Sequence, residues 1–228
     1  MGSSVDIRSV TRDFQTPAGK VSVLKGITCS IAADTMCILR GKSGSGKTTL
    51  LNMIGGLDDP SSGQILIDGK SVAGMSSRAR ENFRRRQMGF VFQSVSLIPS
   101  MNAIQNVEFA MRMAGIKDGR EKRAAEVLTL VGLSNRMTHM PQEMSGGEQQ
   151  RVAIARAIAH HPKLILADEP TAELDSAMAA EVARLFKQIS EEERVTIIMT
   201  THDVGLMGAG DQLIELKNGR IEGSEDNE

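Results

Sequence analysis

Gly41-Lys42-Ser43-Gly44-Ser45-Gly46-Lys47-Thr48 is the stretch that decides the predicted fold. It fits the pattern G-x-x-x-x-G-K-[ST] at every position. The apolar run at residues 36–39 predicts a buried strand before it, and residues 49–54 predict the beginning of a helix after it. A glycine-rich turn from strand into helix directs backbone N–H groups and the positive end of a helix dipole at one point, where an anion binds. The stretch therefore predicts a phosphate-binding loop.

The loop chemistry predicts a bound nucleotide together with Mg²⁺, and the resemblance given below implies that this nucleotide is ATP. The glycines of the loop let the backbone approach the phosphates without a Cβ clash. By this mechanism Lys47 reaches the β- and γ-phosphates, and the hydroxyl of Thr48 ligates Mg²⁺. The alternative is a glycine-rich loop that fits the pattern by chance. The predicted nucleotide-binding residues of the loop are Gly41, Ser43, Gly44, Ser45, Gly46, Lys47, Thr48 and Thr49.

Composition restricts the class of protein. The chain has 228 residues, enough for one large domain or two small ones, and its 27 Lys+Arg against 28 Asp+Glu give no overall electrostatic reason to bind nucleic acid. The two cysteines, Cys29 and Cys37, are interpreted as buried thiols rather than a disulfide. A charged N-terminus and the lack of a long apolar run predict a soluble cytosolic protein. The acidic tail at 223–228 is expected to be frayed and without function.

Residues before the helical region predict short strands and one basic helix. Segments 5–14 and 22–32 predict two strands joined by a turn at 16–19, and residues 63–69 predict two more around Asp68-Gly69. Composition alone favours Phe14 as a core residue. Residues 78–87 predict a polar helix, whose Arg84-Arg85-Arg86 cluster indicates a solvated face or, less often, a contact with phosphate or a membrane surface. Residues 89–93 predict a buried strand.

From residue 94 to about 142, helical periodicity replaces the strands. The segment is unusually rich in apolar residues, namely Leu97, Ile98, Met101, Ile104, Val107, Phe109, Met111 and Met113. Packing within this helical lobe explains most of them. The flexible methionines would also suit a groove that receives a helix of another protein.

Alternating strands and helices return after residue 145 and predict a mainly parallel sheet, with ligands at the carboxyl ends of its strands. Lys47, Gln93, Asp168 and His202 each follow a predicted strand, so we expect them to converge on the phosphates. Asp168 is then the second Mg²⁺ contact, and Glu169 is a candidate to polarise the attacking water. His202 is expected to contact the γ-phosphate. A plain strand terminus and a structural histidine are the alternatives.

Met144-Ser145-Gly146-Gly147-Glu148-Gln149-Gln150-Arg151 resembles the signature of ATP-binding-cassette ATPases, which most of that family write Leu-Ser-Gly-Gly. The resemblance extends over essentially the whole chain. It includes the phosphate loop, the Gln93 loop, the signature, Asp168-Glu169, the Ala172-Glu173-Leu174-Asp175 loop and His202, in that order. A serine followed by two glycines at a helix start makes a second anion site.

The resemblance implies an α/β fold of the ATP-binding-cassette P-loop NTPase type. It has a mainly parallel sheet core, an N-terminal antiparallel β subdomain and an inserted α-helical subdomain. Residues 1–228 then form a single ATPase domain. Residues 1–93 and 156–228 would hold the RecA-like core and the antiparallel β subdomain, and residues 94–155 would hold the helical subdomain with the signature.

In this family two cassettes dimerise head to tail, which implies roles for further residues. Ser145, Gly146, Gly147 and Glu148 would contact the nucleotide that the partner subunit holds, and Asp175 would couple the two sites. Phe14 looks like the aromatic residue that stacks on adenine. The catalytic residues implied are Glu169, His202, Lys47 and Gln93, and the metal-binding residues implied are Thr48, Gln93 and Asp168. Met144, Phe14 and Lys42 depart from the common pattern.

Residues 86–93, 97–99 and 105–108 resemble the branch that includes lipoprotein-releasing, macrolide-export and haem-export ATPases, although Ala172-Glu173 departs from its usual Gly-Asn. This implies an ATPase subunit that dimerises and drives an integral membrane permease docked at residues 93–113, on the cytoplasmic face of the cell membrane. A regulator of a cell-wall or cell-division complex is the alternative. A DNA-repair or ribosome-bound cassette is disfavoured by the near-neutral charge, the single cassette and the lack of zinc-like cysteine spacing, so no nucleic-acid partner is expected.

Overall fold

The computed structural model describes residues 1–17 and 19–222. The predicted turn at 16–19 includes Ala18, and the predicted frayed tail is 223–228; both lie outside the described residues. The strands are β1 (Val5–Thr16), β2 (Gly19–Ile31), β3 (Met36–Arg40), β4 (Ser62–Ile67), β5 (Lys70–Ser71), β6 (Met88–Val91), β7 (Leu164–Ala167), β8 (Thr196–Thr201), β9 (Gln212–Lys217) and β10 (Arg220–Ile221). The helices are α1 (Lys47–Ile54), α2 (Ser77–Gln87), α3 (Ala103–Ala114), α4 (Arg120–Leu130), α5 (Gly146–Ile158) and α6 (Ser176–Glu192), with 3₁₀ turns at Pro141–Glu143 and Val204–Ala209.

The first sheet is the predicted antiparallel β subdomain. Its strand order is β2-β1-β4-β5, and every pair in it is antiparallel. Val5 and Ile7 of β1 are buried because alternate side chains of a strand point to the same face, and Val10 joins the same apolar cluster because the register shifts between Ile7 and Val10. The hairpin at Asp68-Gly69 joins β4 and β5 as predicted.

The second sheet is the predicted parallel core. Its order is β10-β9-β3-β8-β7-β6, and all its pairs are parallel except the β9–β10 hairpin. The strands β7 and β8 are buried along their whole length, which is typical of a parallel sheet covered on both faces. The carboxyl ends of β3, β8 and β7 lie side by side, so the segments that follow them share one edge of the sheet.

The helical lobe packs on one face of this sheet. The strands β6, β7 and β8 share one apolar cluster with α3, α4, α5 and α6. Val107 and Met111 are fully buried within it, which confirms that packing explains these residues. The helix α5 continues to Ile158, three residues beyond the lobe boundary predicted at 155.

Strand β6 is shorter than predicted. The prediction extended it to residue 93, but the strand ends at Val91. Phe92 turns out of this edge strand and is 43% exposed, with its ring stacked on that of Phe90 at a centroid distance of 5.9 Å. An edge strand has a neighbour on one side only, so its end is held by fewer hydrogen bonds. Among the residues the structure describes, no helix is long and apolar enough to cross a bilayer.

Candidate active site

The phosphate-binding loop joins β3 to α1 in a conformation that depends on glycine. Gly44 and Gly46 have φ of +77° and +106°, in the left-handed region that side chains disfavour. Gly41 is packed so closely that an added Cβ would lie 2.3 Å from the carbonyl oxygen of Leu216. Helix α1 begins after Gly46 with no side chain capping its N-terminus. The uncapped amides of this first turn are available to an anion.

Lys47 is held in place beneath the loop. Its side chain is only 4% exposed, and its Nζ donates to the carbonyl oxygens of Gly41, at 2.8 Å, and Lys42, at 3.3 Å. Its third contact is an ion pair with Glu169 Oε1 at 3.1 Å. Lys47 therefore contacts the acidic segment that follows β7, as predicted. The side chain of Lys42 itself is exposed.

Asp168 is fixed by hydroxyl groups from two other elements. Its Oδ1 accepts hydrogen bonds from Thr48 Oγ1 at 3.1 Å and from Thr200 Oγ1 at 2.7 Å. Thr200 is fully buried, and its Oγ1 also accepts from the backbone N–H of Glu169 at 2.8 Å. One threonine thus holds both adjacent acids. The sequence reasoning missed Thr200, although its position at the end of β8, two residues before His202, was a usable signal.

Glu169 carries the two contacts that define its chemistry. Besides Lys47, its Oε2 accepts from His202 Nδ1 at 3.0 Å. Burial acts to raise the pKa of this carboxyl, but the hydrogen bonds and charges of Lys47 and His202 outweigh it and lower the pKa below the usual value. Glu169 is therefore a carboxylate at neutral pH. Its φ of +43° is unusual for a residue with a side chain, a form of strain that functional sites often keep.

His202 has a defined proton position. A carboxylate can only accept, so the hydrogen bond to Glu169 places the proton on Nδ1. The other ring nitrogen, Nε2, is then free to meet a ligand, and the side chain is 58% exposed. Donation from Nε2 to a phosphate oxygen requires the imidazolium form.

The predicted metal-binding residues are partly brought together. Thr48 and Asp168 present hydroxyl and carboxylate oxygens 3.1 Å apart, and oxygen donors of this kind suit Mg²⁺. Among residues 1–17 and 19–222, no three His, Cys, Asp or Glu side chains form a metal cluster, so the remaining ligands would have to be substrate and water. That partial set fits Mg²⁺, which is usually bound by one or two protein groups together with phosphates.

Gln93 and Phe14 do not lie where the sequence analysis expected them. Gln93 is exposed, and within the described part of the chain its side chain makes no hydrogen bond to Lys47, Asp168 or His202. The expected convergence of Gln93 on the other three is therefore not observed, because β6 ends two residues earlier. The favoured interpretation of Phe14 as a core residue is wrong, since its side chain is 37% exposed. The Arg12 guanidinium lies 4.5 Å from the centroid of its ring.

The signature turn is shaped by a reciprocal cap. Ser145 Oγ accepts from the N–H of Glu148 at 3.2 Å, and Glu148 Oε2 accepts from the N–H of Ser145 at 2.8 Å. Glu148 Oε1 accepts from Arg136 at 2.9 Å, so both of its oxygens are used within its own chain. The backbone hydrogen bond from Ser145 and then Arg136 hold the pKa of Glu148 below its usual value. Arg136 was not foreseen from the sequence.

Helix α6 packs against the signature turn. Asp175 caps its N-terminus, accepting from the N–H groups of Ala177 and Met178 at 3.0 Å each. Met178 packs against the signature, since a Cβ added to Gly147 would lie 2.2 Å from its methyl carbon. The hydrogen bonds of Ser145 and Glu148 described above reach no residue of the phosphate-binding loop. Within the described residues, no hydrogen bond or ion pair of these two side chains therefore joins the two predicted anion sites.

The two cysteines are buried thiols without a disulfide, as predicted. Cys37 is fully buried, and Cys29 is partly buried. Burial raises the pKa of Cys29 to about 11 and that of Cys37 to about 12.

The fold and the site together define a P-loop nucleotide hydrolase: a glycine loop with a buried lysine, a threonine–aspartate pair and an adjacent glutamate–histidine pair at one sheet edge. A family model described as "ABC transporter" matches residues 24–172. The chain belongs to this family of ATP-binding-cassette proteins.

Several relatives match the chain over nearly its whole length. An uncharacterized ABC transporter ATP-binding protein of Thermotoga maritima is 44% identical, over 99% of this chain and 96% of that protein. The lipoprotein-releasing system ATP-binding protein LolD 2 of Caulobacter vibrioides is 41% identical, over 95% of each. The macrolide export ATP-binding/permease protein MacB of Syntrophobacter fumaroxidans is 41% identical over 96% of this chain, which spans only 31% of that longer protein.

Solved structures confirm the fold class. The dimeric MJ0796 ABC transporter cassette has a TM-score of 0.87 at 38% identity and 96% coverage of both chains. A post-hydrolysis dimer of MJ0796 bound to ADP and Pi has a TM-score of 0.86 at 38% identity, also over 96% of each chain. This chain is accordingly an ATP-binding-cassette ATPase subunit, as the sequence predicted.

Proposed function

We propose that this ATPase works as a head-to-tail homodimer that drives an export-type membrane permease, with Glu169 polarising the attacking water. The observation that carries the proposal is the bridge from Lys47 through Glu169 to His202, beside the Thr48–Asp168 pair. It supports the proposal because the proposed base, the proposed phosphate-binding cation and the proposed γ-phosphate contact are joined by direct hydrogen bonds.

Lys47 changes partner when ATP binds. In this structure its Nζ is bonded to Glu169, and the phosphates of ATP would offer it a stronger anion at the same loop. Release of Lys47 leaves a Glu169 oxygen free to accept a hydrogen bond from water. The water oxygen then bonds to the γ-phosphorus as the bond to the β–γ bridging oxygen breaks, and the water proton is accepted by the carboxylate.

The surrounding residues position these groups. Thr200 keeps the Glu169 backbone in place, and His202 orients the carboxylate through Nδ1. Thr48 and Asp168, with Gln93 after a movement of its loop, would hold Mg²⁺. That ion would supply neutralisation of phosphate charge. Phe14, exposed at the end of β1, offers a ring face for adenine.

The split between the two anion sites supports the head-to-tail dimer. Ser145 uses Oγ as an acceptor in its cap, so its O–H can still donate, and the amides of Gly146 and Gly147 begin helix α5. No hydrogen bond of Ser145 in the described chain reaches the phosphate-binding loop. In the proposed dimer these donors cap the ATP held by the partner's loop, and Glu148 acts mainly by shaping the turn. Asp175, at the start of α6, lies beside this turn and couples the two sites.

An apolar groove supports the docking of a permease helix. A cavity of about 370 Å³ is lined by Leu57, Phe90, Phe92, Ala110 and Met113. Leu57, Phe92 and Met113 are each more than two-fifths exposed. The predicted docking range of 93–113 thus needs refinement, because Val107 and Met111 are buried and the groove also uses residues before Gln93. Attachment there would hold the ATPase at the cytoplasmic face of the membrane.

The Glu169→Gln substitution tests the proposed chemistry. We expect the variant to bind ATP and to form a stable dimer, with ATP hydrolysis reduced at least a hundred-fold, the order that loss of a general base costs. The matched control is Glu121→Gln, which alters an exposed carboxylate that lies outside the site motifs and makes no hydrogen bond in the described chain. Steady-state hydrolysis and sedimentation with ATP measure the two properties. Hydrolysis at the normal rate by Glu169→Gln, or by a strictly monomeric enzyme, would contradict the proposal.

A further inference from the structure

Helix α2 is the most basic segment of the described chain and buries nothing. Its eleven residues contain five arginines and one glutamate, while the whole chain carries a net charge of −1. None of its residues is buried, and Phe83 is only partly covered. A surface helix normally turns an apolar stripe toward the core. The composition of α2 therefore calls for an explanation other than packing.

Most of these charges are not neutralised by the protein. Arg80 pairs with Asp59 at 2.9 Å, and Arg84 donates to the Gly56 carbonyl at 2.6 Å. Arg85 donates only to the neutral side chain of Asn82, at 2.9 Å. Within the described residues, no hydrogen bond or ion pair is formed by the side chain of Arg78 or Arg86.

Two lysines from other elements extend the unpaired charge. Lys70 of β5 and Lys163, just before β7, line a concave surface together with Arg86, over an apolar floor that includes Ile67 and Phe83. The one acid in this lining is Asp68, whose carboxylate accepts hydrogen bonds from Ser3 Oγ and the N–H of Ser4. Neither lysine side chain forms an ion pair in residues 1–17 and 19–222. We define the basic rim as these five exposed residues: Arg78, Arg85, Arg86, Lys70 and Lys163.

The basic rim is continuous with the proposed permease groove. Glu81, Arg84 and Arg85 of α2 line that groove together with Phe90 and Met113. If a permease helix enters the groove from the membrane, α2 lies beside it and the rim faces the same bilayer. This placement depends on the proposed docking. The positive charge of the basic rim does not depend on that docking.

From this geometry we infer that the basic rim binds the anionic headgroups of membrane lipids. Unpaired, exposed cations spread over one surface suit a plane of dispersed negative charge, and each such residue near an anionic membrane contributes about 1 kcal/mol. A nucleic acid fits less well, because the whole chain carries a net charge of −1 and Phe83, the aromatic residue of this concave surface, is partly covered by the core and offers little ring area for base stacking. An acidic segment of the permease is the competing occupant.

Vesicle co-sedimentation of the purified full chain tests this inference without any permease. We expect binding to vesicles of equal parts phosphatidylglycerol and phosphatidylcholine, no binding to phosphatidylcholine alone, and release by high salt. The combined variant Lys70→Gln, Arg78→Gln and Arg86→Gln should bind about a hundred-fold more weakly, since about 1 kcal/mol per residue is about five-fold each. These three side chains are exposed and line neither the permease groove nor the active site, so this variant should keep its fold and its basal ATPase activity.

The control variant removes the same charge elsewhere. Lys25, Lys117 and Lys122 are exposed and unpaired in the described chain, and their combined change to glutamine should leave vesicle binding within about two-fold. Equal losses in both variants would overturn the inference, because only net charge would matter. Failure of the wild-type chain to bind anionic vesicles would also overturn it and would favour the acidic permease segment. Neither result bears on the Glu169→Gln test, so the two proposals fail separately.

Discussion

Thr200→Val removes a single hydroxyl from the floor of the active site and keeps the shape of the side chain. That hydroxyl donates to Asp168 Oδ1 at 2.7 Å and accepts from the N–H of Glu169 at 2.8 Å. Because Thr200 is fully buried, no water replaces the lost partner. The substitution therefore leaves a backbone N–H unsatisfied and weakens the support of both acids.

The expected losses of stability and of kcat follow from these two hydrogen bonds. A hydrogen bond to a charged group contributes about 1.5–3 kcal/mol, and an unsatisfied buried donor costs about 1–3 kcal/mol. Asp168 keeps its bond from Thr48, which reduces the loss. We expect a decrease of about 2–4 kcal/mol in the free energy of unfolding. Since Glu169 is released from a strained φ, kcat should fall about a hundred-fold, the effect of a misplacement of about 1 Å.

Urea unfolding and steady-state ATP hydrolysis measure the two effects. Thr196→Val is the matched control at the other end of β8, where the fully buried Thr196 Oγ1 accepts from the N–H of Asp34 at 2.9 Å. It should lose about 1–2 kcal/mol of stability and keep its kcat. Thr200→Ser, which restores the hydroxyl, should recover most of the activity. The reasoning is refuted if Thr200→Val and Thr196→Val have the same kcat.

Three further outcomes follow from the contacts described. Gly147→Ala should weaken ATP-dependent dimerisation only modestly, measured by sedimentation, because the Met178 methyl group that meets the new Cβ ends a flexible side chain and can move aside; the added change Met178→Ala should remove even this loss. In the native chain, Cys29 and Cys37 should resist a thiol reagent at pH 8, since pKa values of about 11 and 12 leave almost no thiolate, and both should react in urea. The lowered pKa of Glu169 stabilises the fold above the ordinary glutamate range, and this contribution disappears as the pH falls through the lowered pKa. Glu169→Gln should therefore lose less stability than wild type between pH 7 and pH 3.5 in urea titrations, and an equal loss would count against the ion pairs.

The fold was predictable because strand and helix periods, turn residues and glycine patterns agree along the chain. The phosphate loop, the parallel sheet and the capped start of α5 at Ser145 appear where the sequence predicts them. The order of the motifs along the chain also predicted the active site. The carboxyl ends of neighbouring parallel strands bring Lys47, Asp168 and His202 to one edge of the sheet.

What the sequence did not reveal depends on contacts between distant segments. Thr200 looks like any β-branched strand residue, and only the fold shows its hydroxyl between Asp168 and Glu169. Arg136 reaches Glu148 across a loop, which no local pattern encodes. Phe14 was misjudged because a scarce aromatic residue is usually buried, whereas the end of β1 leaves this ring open to solvent.

Helix α5 links the two surfaces that we propose bind different partners. Its first residue, Gly146, follows the serine cap, and Ala157 near its other end lines the apolar groove. Thirteen residues at 1.5 Å each make a rod about 20 Å long. Such a rod behaves as a lever: if the neighbouring cassette tilts its leading end while closing on a triphosphate, the far end must swing with it. Closure of the ATP site and movement of the groove would then be coupled directly through helix α5, without intervening loops.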